Sequence, residues 1–252
     1  MIAPRRIVSL VPSLTETVAS WGLIDRLVGR TRYCVEPAGE IEAVEELGGT
    51  KNPDVGRIIA LQPDLVIVNK EENRIEDWRH LQAAGLMIHV THPRSLEQAL
   101  AMLEELGAAL GAGAVAGRLV ADCRLALDRC RGGEGRRRVF CPIWRKPWMT
   151  FGRHTYIGDM LAVAGYDNVF GDDRGEDFFE VTLDDILARA PEAVVLPDEP
   201  FVFEARHADE LRLAGLAGAE FLFVDGKNLS WYGPRIPAAL DALKIKGATS
   251  GG

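Results

Sequence analysis

The 252-residue sequence lacks a long apolar segment. No stretch approaches the ~18 consecutive apolar residues that a transmembrane helix needs. The first residues show neither an apolar segment followed by a small-residue cleavage site nor a lipid-anchor cysteine. We therefore expect a cytoplasmic location for the chain as written. The alternative is a periplasmic or other extracytoplasmic location, if the chain is a trimmed mature form.

The common signatures of enzyme active sites are also missing. The sequence has no Gly-x-Gly-x-x-Gly after a predicted strand, no Gly-Lys-Ser/Thr phosphate loop, no Gly-x-Ser-x-Gly and no His-Glu-x-x-His. Asp198 and Glu199 remain as an alternative catalytic pair, but adjacent carboxylates usually diverge and nothing nearby supplies a nucleophile or base. We therefore expect no enzyme activity and no catalytic residue.

Cysteine and histidine are scarce, and acidic residues outnumber basic ones. The four cysteines show neither Cys-x-x-Cys nor zinc-finger spacing, so we expect them to pack in the core. We expect no metal site, although His89, His92 or His154 with a carboxylate leaves a direct metal binder open as an alternative. The net charge of −8 argues against nucleic-acid binding, which needs clustered Lys and Arg.

Short apolar runs alternate with helical spacing over the first 110 residues. Ile7–Val11, Leu65–Val68 and Met87–Val90 are predicted strands. Helical spacing covers Val55–Leu61 and Leu96–Leu110. Because strands that alternate with helices form a mostly parallel sheet covered on both faces, we predict an α/β lobe here.

A long amphipathic helix is predicted over Ala114–Arg131, with a stop signal at Gly132-Gly133. A second alternating block follows, in which residues 184–195 match residues 56–67: each segment is a helix ended by a proline, then an acidic residue and a buried strand. We therefore predict two α/β lobes, residues 1–112 and 133–252, joined by a single helix over residues 113–132. Such an architecture places a ligand in the cleft between its lobes.

Aromatic residues stand where predicted strands open into loops. Trp144, Trp148 and Phe151 follow the predicted strand Val139–Pro142, and Trp231-Tyr232 follows the last strand. Such rings suit a wide, flat, amphipathic ligand. The alternative is that each ring only caps the end of a sheet.

The segment Ile7-Val8-Ser9-Leu10-Val11-Pro12-Ser13-Leu14-Thr15-Glu16 resembles the opening of the helical-backbone (class III) substrate-binding proteins of ABC transporters. The likeness continues through residues 26–34 and 58–67 and reaches Tyr232-Gly233-Pro234-Arg235. Within that family the chain is most similar to the vitamin B12 (cobalamin) binders, beside siderophore and haem binders.

The resemblance implies a monomeric protein that closes on a cobalamin-like corrinoid and has no covalently bound cofactor. The alternative ligands are another metal chelate (haem or a ferric siderophore) and a bare metal ion. The alternative role is that of a cytoplasmic carrier or sensor.

The resemblance also implies which residues contact the ligand. Tyr33 would stand on the first-lobe wall, with Gly49, Thr50 and Asn69 in adjoining loops. The second-lobe wall would contain Trp144, Phe151, Trp231, Tyr232 and Arg235. A tryptophan is expected near Thr50, so part of the aromatic sandwich is missing or is supplied by Trp148.

Docking to the membrane subunits of an ABC transporter uses one surface carboxylate on each lobe of such proteins. The second-lobe position is Asp184, but its counterpart in the first lobe is Gly56. We predict that the nearby Asp54 supplies the docking carboxylate of the first lobe in place of Gly56.

Overall fold

The computed structural model describes residues 3–130, 136–171 and 175–244. The chain divides into two compact units, and each is assembled from three segments. Unit 1 contains Met1–Pro93, Glu97–Asp122 and Trp231–Pro234, and unit 2 contains Arg94–Leu96, Cys123–Ser230 and Arg235–Gly252. Among the described residues, no helix is both long and apolar enough to cross a membrane.

Unit 1 is a four-stranded parallel sheet with helices around it. Its strands are β1 (Ile7–Ser9), β2 (Leu27–Arg30), β3 (Leu65–Asn69) and β4 (Ile88–Thr91). They lie in the order β2-β1-β3-β4. The helices are α1 (Pro12–Ser20), α2 (Val55–Ala60), α3 (Ile75–Ala83) and α4 (Leu96–Leu110), followed by α5 (Gly113–Cys130). Every residue of β3 is buried, as expected for an inner strand covered on both faces.

Helices α4 and α5 approach each other closely because small residues meet between them. A Cβ atom added at Gly107 would lie only 2.3 Å from the Cβ atom of Ala116. Ala116, Val120 and Cys123 form part of the buried stripe along α5, at the three- and four-residue spacing expected of an amphipathic helix.

Unit 2 repeats the parallel sheet and adds a small antiparallel one. The strands in chain order are β5 (Arg137–Phe140), β6 (Trp148–Phe151), β7 (Tyr166–Asn168), β8 (Phe178–Val181), β9 (Ala193–Pro197) and β10 (Glu220–Val224). The parallel sheet has the order β10-β9-β5-β7, and β6 pairs with β8 in antiparallel register. The helices are α6 (Tyr156–Val163), α7 (Leu183–Arg189), α8 (Ala205–Leu211), α9 (Lys227–Ser230) and α10 (Ile236–Leu243).

The internal repeat is visible in the backbone. Helix α2 leads into β3 and helix α7 leads into β9, as the matching segments predict. Gln62 and Ala190 occupy equivalent positions directly before a proline, and both adopt left-handed backbone conformations, with φ of 47° and 43°. Since non-glycine residues rarely adopt positive φ, the shared conformation supports the repeat as a structural one.

The α/β class with mostly parallel sheets is confirmed, and the predicted long helix corresponds to α5. Its predicted stop at Gly132-Gly133 lies outside the described residues. The division between the units falls inside α5, between Asp122 and Cys123, and two short segments cross to the other unit. These boundaries differ from the three consecutive blocks predicted, because contacts distant in sequence hold the short segments.

Candidate ligand-binding surfaces

The carboxyl ends of the parallel strands in unit 1 define one candidate surface. Strands β1, β2, β3 and β4 end at Ser9, Arg30, Asn69 and Thr91. Because the strands are parallel, the loops that follow them emerge at one edge of the sheet, which is where α/β proteins bind ligands. We call these loops, with the turn at residues 48–53, the unit 1 edge.

The unit 1 edge presents one exposed aromatic ring. Tyr33 is 56% exposed. A Cβ atom at Gly49 would lie 3.5 Å from the Tyr33 ring and 2.3 Å from the side-chain oxygen of Asn52. The Arg32 backbone N–H donates to the Gly48 carbonyl at 2.8 Å, which ties the two loops together. The structure therefore brings Tyr33 and Gly49 together, with Thr50 next in the same turn, as the resemblance implied.

Asn69 lies beneath this surface and is only 1% exposed. Its side-chain oxygen accepts from the Glu71 N–H at 2.8 Å, and its side-chain nitrogen donates to the Thr91 hydroxyl at 3.2 Å. It also shares a hydrogen bond with the hydroxyl of Tyr232, which is 4% exposed. Asn69 and Tyr232 therefore support the unit 1 edge from below.

Trp231 differs from the expected placement on the second-lobe wall, since it belongs to unit 1 and is 7% exposed. The neighbouring residues explain this position. Tyr232 bonds Asn69, and Gly233 packs so tightly that an added Cβ atom would lie 2.0 Å from the Thr17 hydroxyl oxygen. Only glycine fits this approach, and Gly233 also has a positive φ of 94°. Arg235 belongs to unit 2 and precedes the first residue of α10.

Carboxylates set the electrostatics of the unit 1 edge. Glu71 lies 3.4 Å from the His92 imidazole, and its backbone carbonyl accepts from the Lys51 ammonium at 2.6 Å. Burial raises the pKa of the Tyr232 hydroxyl, and the negative charges of Glu71 and Glu72 raise it further. Glu71 and Glu72 therefore place negative charge close to the Tyr232 hydroxyl, while Arg32, Lys51 and Lys70 stand in the same loops.

In unit 2 an exposed aromatic ring in a loop after a parallel strand belongs to Trp144, which is 43% exposed. It follows β5 and packs edge-to-face against Phe201, with ring centroids 5.4 Å apart. Phe201 and the exposed Val202 follow β9, so both loops emerge at the carboxyl edge of the parallel sheet. We call Trp144, Phe201 and Val202 the unit 2 platform.

Two other aromatic residues predicted to contact the ligand lie in the core of unit 2. Trp148 is 6% exposed, stacks on Phe203 at 6.0 Å and carries the Arg145 guanidinium over its ring at 4.6 Å. Phe151 is fully buried. Both belong to β6, which pairs with β8, and as residues three apart on one strand they face opposite sides of it. Trp148 contacts Phe203, which contacts Phe201, so in this structure Trp148 supports the platform instead of replacing the missing tryptophan near Thr50.

The two carboxylates expected to dock a transporter lie at the starts of equivalent helices. Asp184 is an exposed residue in the first turn of α7. Asp54 is the N-cap of α2 and accepts from the Arg57 N–H at 2.8 Å. The Asp54 carboxylate therefore already has a structural task, which Asp184 does not share because Thr182 caps α7.

The alternative enzyme and metal sites receive no support from the geometry. Asp198 accepts from the Gly226 N–H at 2.7 Å and so holds a loop. Across residues 3–130, 136–171 and 175–244, no group of three or more His, Cys, Asp or Glu side chains is arranged to hold a metal ion. His89 lies in β4 with a pKa lowered by burial, and the four cysteines are all buried, with no disulfide between them.

Sequence reasoning missed Phe201 and Val202 in unit 2 and Glu71, Glu72 and Asn73 in unit 1. Each follows the end of a parallel strand, so the rule that selected Tyr33 and Trp144 also applies to them. Glu71 and Glu72 give a weaker signal than an aromatic ring does, since a run of charged residues is usually a solvated face.

The chain matches a family model described as periplasmic binding protein over residues 7–208. A vitamin B12-binding protein from Yersinia pestis is 26% identical over 197 residues, which cover 77% of this chain and 70% of that protein. These matches confirm the recognised family, whose members are substrate-binding proteins.

Solved structures support the same fold. The periplasmic vitamin B12 binding protein BtuF of Vibrio cholerae superposes with a TM-score of 0.82 at 21% identity, covering 95% of each chain. A periplasmic heme binding protein from Pseudomonas aeruginosa gives a TM-score of 0.80 at 26% identity, covering 96% of this chain and 91% of that one. Because both neighbours are periplasmic, the expected cytoplasmic location finds no support.

Proposed function

Since the chain belongs to the periplasmic binding protein family, we propose that it is a ligand-binding protein that captures a cobalamin-like corrinoid. The unit 1 edge and the unit 2 platform are the proposed contact surfaces. Each presents an exposed aromatic ring, Tyr33 in one unit and Trp144 in the other, at the carboxyl edge of a parallel sheet. Such rings suit the apolar faces of a large macrocycle.

The position of the Glu71 and Glu72 carboxylates at the unit 1 edge is the observation that favours a corrinoid. A corrin ring carries neutral amide side chains at its rim, and amide N–H groups donate hydrogen bonds to carboxylates. Haem instead carries propionate carboxylates, which Glu71 and Glu72 would repel. These two carboxylates therefore support cobalamin over haem.

Haem is the second candidate, and the 26% identity to the Pseudomonas heme binding protein favours it. Titration of the purified protein with cyanocobalamin and, separately, with haemin distinguishes the two ligands. We expect cyanocobalamin to bind one-to-one. Calorimetry measures the stoichiometry, and co-elution of the colour with the protein on a desalting column shows binding directly. Binding of haemin with no binding of cyanocobalamin would overturn the corrinoid proposal.

A charge substitution tests the reason for this preference. The double variant Glu71→Gln, Glu72→Gln removes two negative charges from the unit 1 edge. We expect it to raise the affinity for haemin relative to cyanocobalamin, since the repulsion of the propionates is reduced. The matched control is Glu42→Gln, Glu76→Gln, which removes the same charge from exposed positions of unit 1. An equal change in both variants would contradict the explanation.

Delivery to the membrane subunits of an ABC transporter is also part of this proposal, as is a periplasmic location. Both rest on the family and on the periplasmic relatives. Cell fractionation with an antibody against the protein tests the location. Recovery in the periplasmic fraction supports delivery to a transporter, whereas recovery in the cytosol supports a carrier or sensor of the same ligand.

A further inference from the structure

Asn73 is at the centre of a buried polar network in unit 1 and is 6% exposed. Its side-chain nitrogen donates to two backbone carbonyls, that of Leu10 at 3.1 Å and that of Thr50 at 3.0 Å. Its side-chain oxygen accepts from the Asn69 N–H at 2.8 Å. One side chain therefore joins the loop after β1, the turn at residues 48–53 and the end of β3.

The network extends through Asn69 to two more segments. Asn69 donates to the Thr91 hydroxyl, which in turn donates to the Val68 carbonyl at 2.9 Å. Asn69 also bonds Tyr232, in the segment that reaches unit 1 from far along the chain. Asn69 and Asn73 together therefore fix five backbone segments at the unit 1 edge. Because buried polar groups are costly to leave unsatisfied, such a network specifies one geometry.

We infer that Asn73 is a positioning residue for ligand capture, since it holds the turn at residues 48–53, where Gly49 lies beside the ring of Tyr33. Asn73 is not among the ligand contacts that the resemblance implies. This inference rests on the proposed function, because positioning matters for capture only if Tyr33 contacts the ligand. A pre-formed surface reduces the ordering cost of binding, so loosening this turn lowers affinity without removing a contact atom.

The chain offers a test that needs no ligand. Lys51 is exposed and lies directly after Thr50, so trypsin cleavage at Lys51 reports release of the turn. In Asn73→Asp, the acceptor for the Asn69 N–H is kept but both donors to Leu10 and Thr50 are lost. We expect this variant to be cleaved at Lys51 about tenfold faster or more, as two lost hydrogen bonds imply. Asn73→Ala is the second variant and should show the same direction.

Asn168 provides the matched control in unit 2. Its side-chain nitrogen donates to the Phe151 carbonyl at 3.0 Å and to the Thr150 hydroxyl at 3.3 Å, so Asn168→Ala also removes hydrogen bonds from one amide. Cleavage at Lys51 should stay at the wild-type rate in this control. A general loss of stability would instead accelerate cleavage equally in both variants and overturn the inference.

Cyanocobalamin affinity gives the second readout, measured by calorimetry well below the melting temperature. We expect Asn73→Asp to bind about tenfold more weakly, with an unchanged circular dichroism spectrum. Faster cleavage at Lys51 with unchanged cyanocobalamin affinity would overturn the role in capture. If the wild type binds no cyanocobalamin, the corrinoid proposal fails. The cleavage rates still decide whether Asn73 positions the turn.

Discussion

Replacing Trp144 with alanine removes the exposed ring of the unit 2 platform. Trp144 is 43% exposed. A tryptophan side chain has on the order of 250 Å² to bury, so roughly 110 Å² remains for a ligand to cover. At ~25 cal/mol per Å², covering that area contributes about 2.7 kcal/mol to binding. The small methyl group of alanine recovers little of this energy.

We therefore expect Trp144→Ala to weaken cyanocobalamin binding by ~2 kcal/mol, which is about 30-fold in Kd. The free energy of unfolding should fall by only about 1 kcal/mol, through the lost edge-to-face contact with Phe201. Calorimetric titration gives Kd, and urea denaturation gives the unfolding free energy. Because these two effects differ in size, the measurements separate a ligand contact from a purely structural role.

Phe223→Ala is the control for this variant. Phe223 is 52% exposed and lies in β10 of the same unit, outside the loops of the unit 2 platform. Its removal should leave Kd within about twofold of wild type, the usual scale for a surface residue that touches no ligand. An unchanged Kd in Trp144→Ala, or an equal loss in both variants, would refute the assignment of the platform.

Three further predictions concern stability. Gly56→Ala should raise the free energy of unfolding, measured in urea, by ~0.5–1 kcal/mol, since an added Cβ meets no atom closer than 3.5 Å. Gly107→Ala should lower the free energy of unfolding by ~1–3 kcal/mol, because the added Cβ clashes with Ala116. Thr182→Ala removes the capping box of α7 and should cost about 1 kcal/mol in the same assay. The pKa of Asp64 is lowered by two backbone N–H donors, so its stabilisation is present above pH ~4 and is lost as the pH falls through the lower folded pKa. Asp64→Asn should therefore show a shallower loss of stability on acidification, measured by urea denaturation between pH 5 and 2.

The elements that local sequence rules describe were predicted well. Prolines 63 and 191 end α2 and α7 and start the buried strands β3 and β9, because proline disfavours helical backbone in the residue before it. The predicted helix Leu96–Leu110 has the observed bounds of α4. Periodicity and proline act within a few residues, so these features are readable without the fold.

The predictions were weakest where distant segments meet. Trp148 and Phe151 stand in a stretch that looks like a loop, but it forms a strand that pairs with β8 from later in the chain, and both rings are buried. Asn69 was expected to contact the ligand. Asn73, four residues along the chain, and Tyr232, which is distant in sequence, join it in a buried hydrogen-bond network. Neither outcome follows from local pattern, because the partners are chosen by tertiary packing.

Amide hydrogen exchange with and without cyanocobalamin tests the central claim most directly, since it reports both binding and its location. We predict that the ligand slows exchange in the turn at residues 48–53 and around Tyr33, and also in the loops that carry Trp144 and Phe201. The strands of the small sheet at Phe178 serve as the internal reference and should not change. Binding with protection confined to other segments, or no protection at saturating cyanocobalamin, would contradict the account.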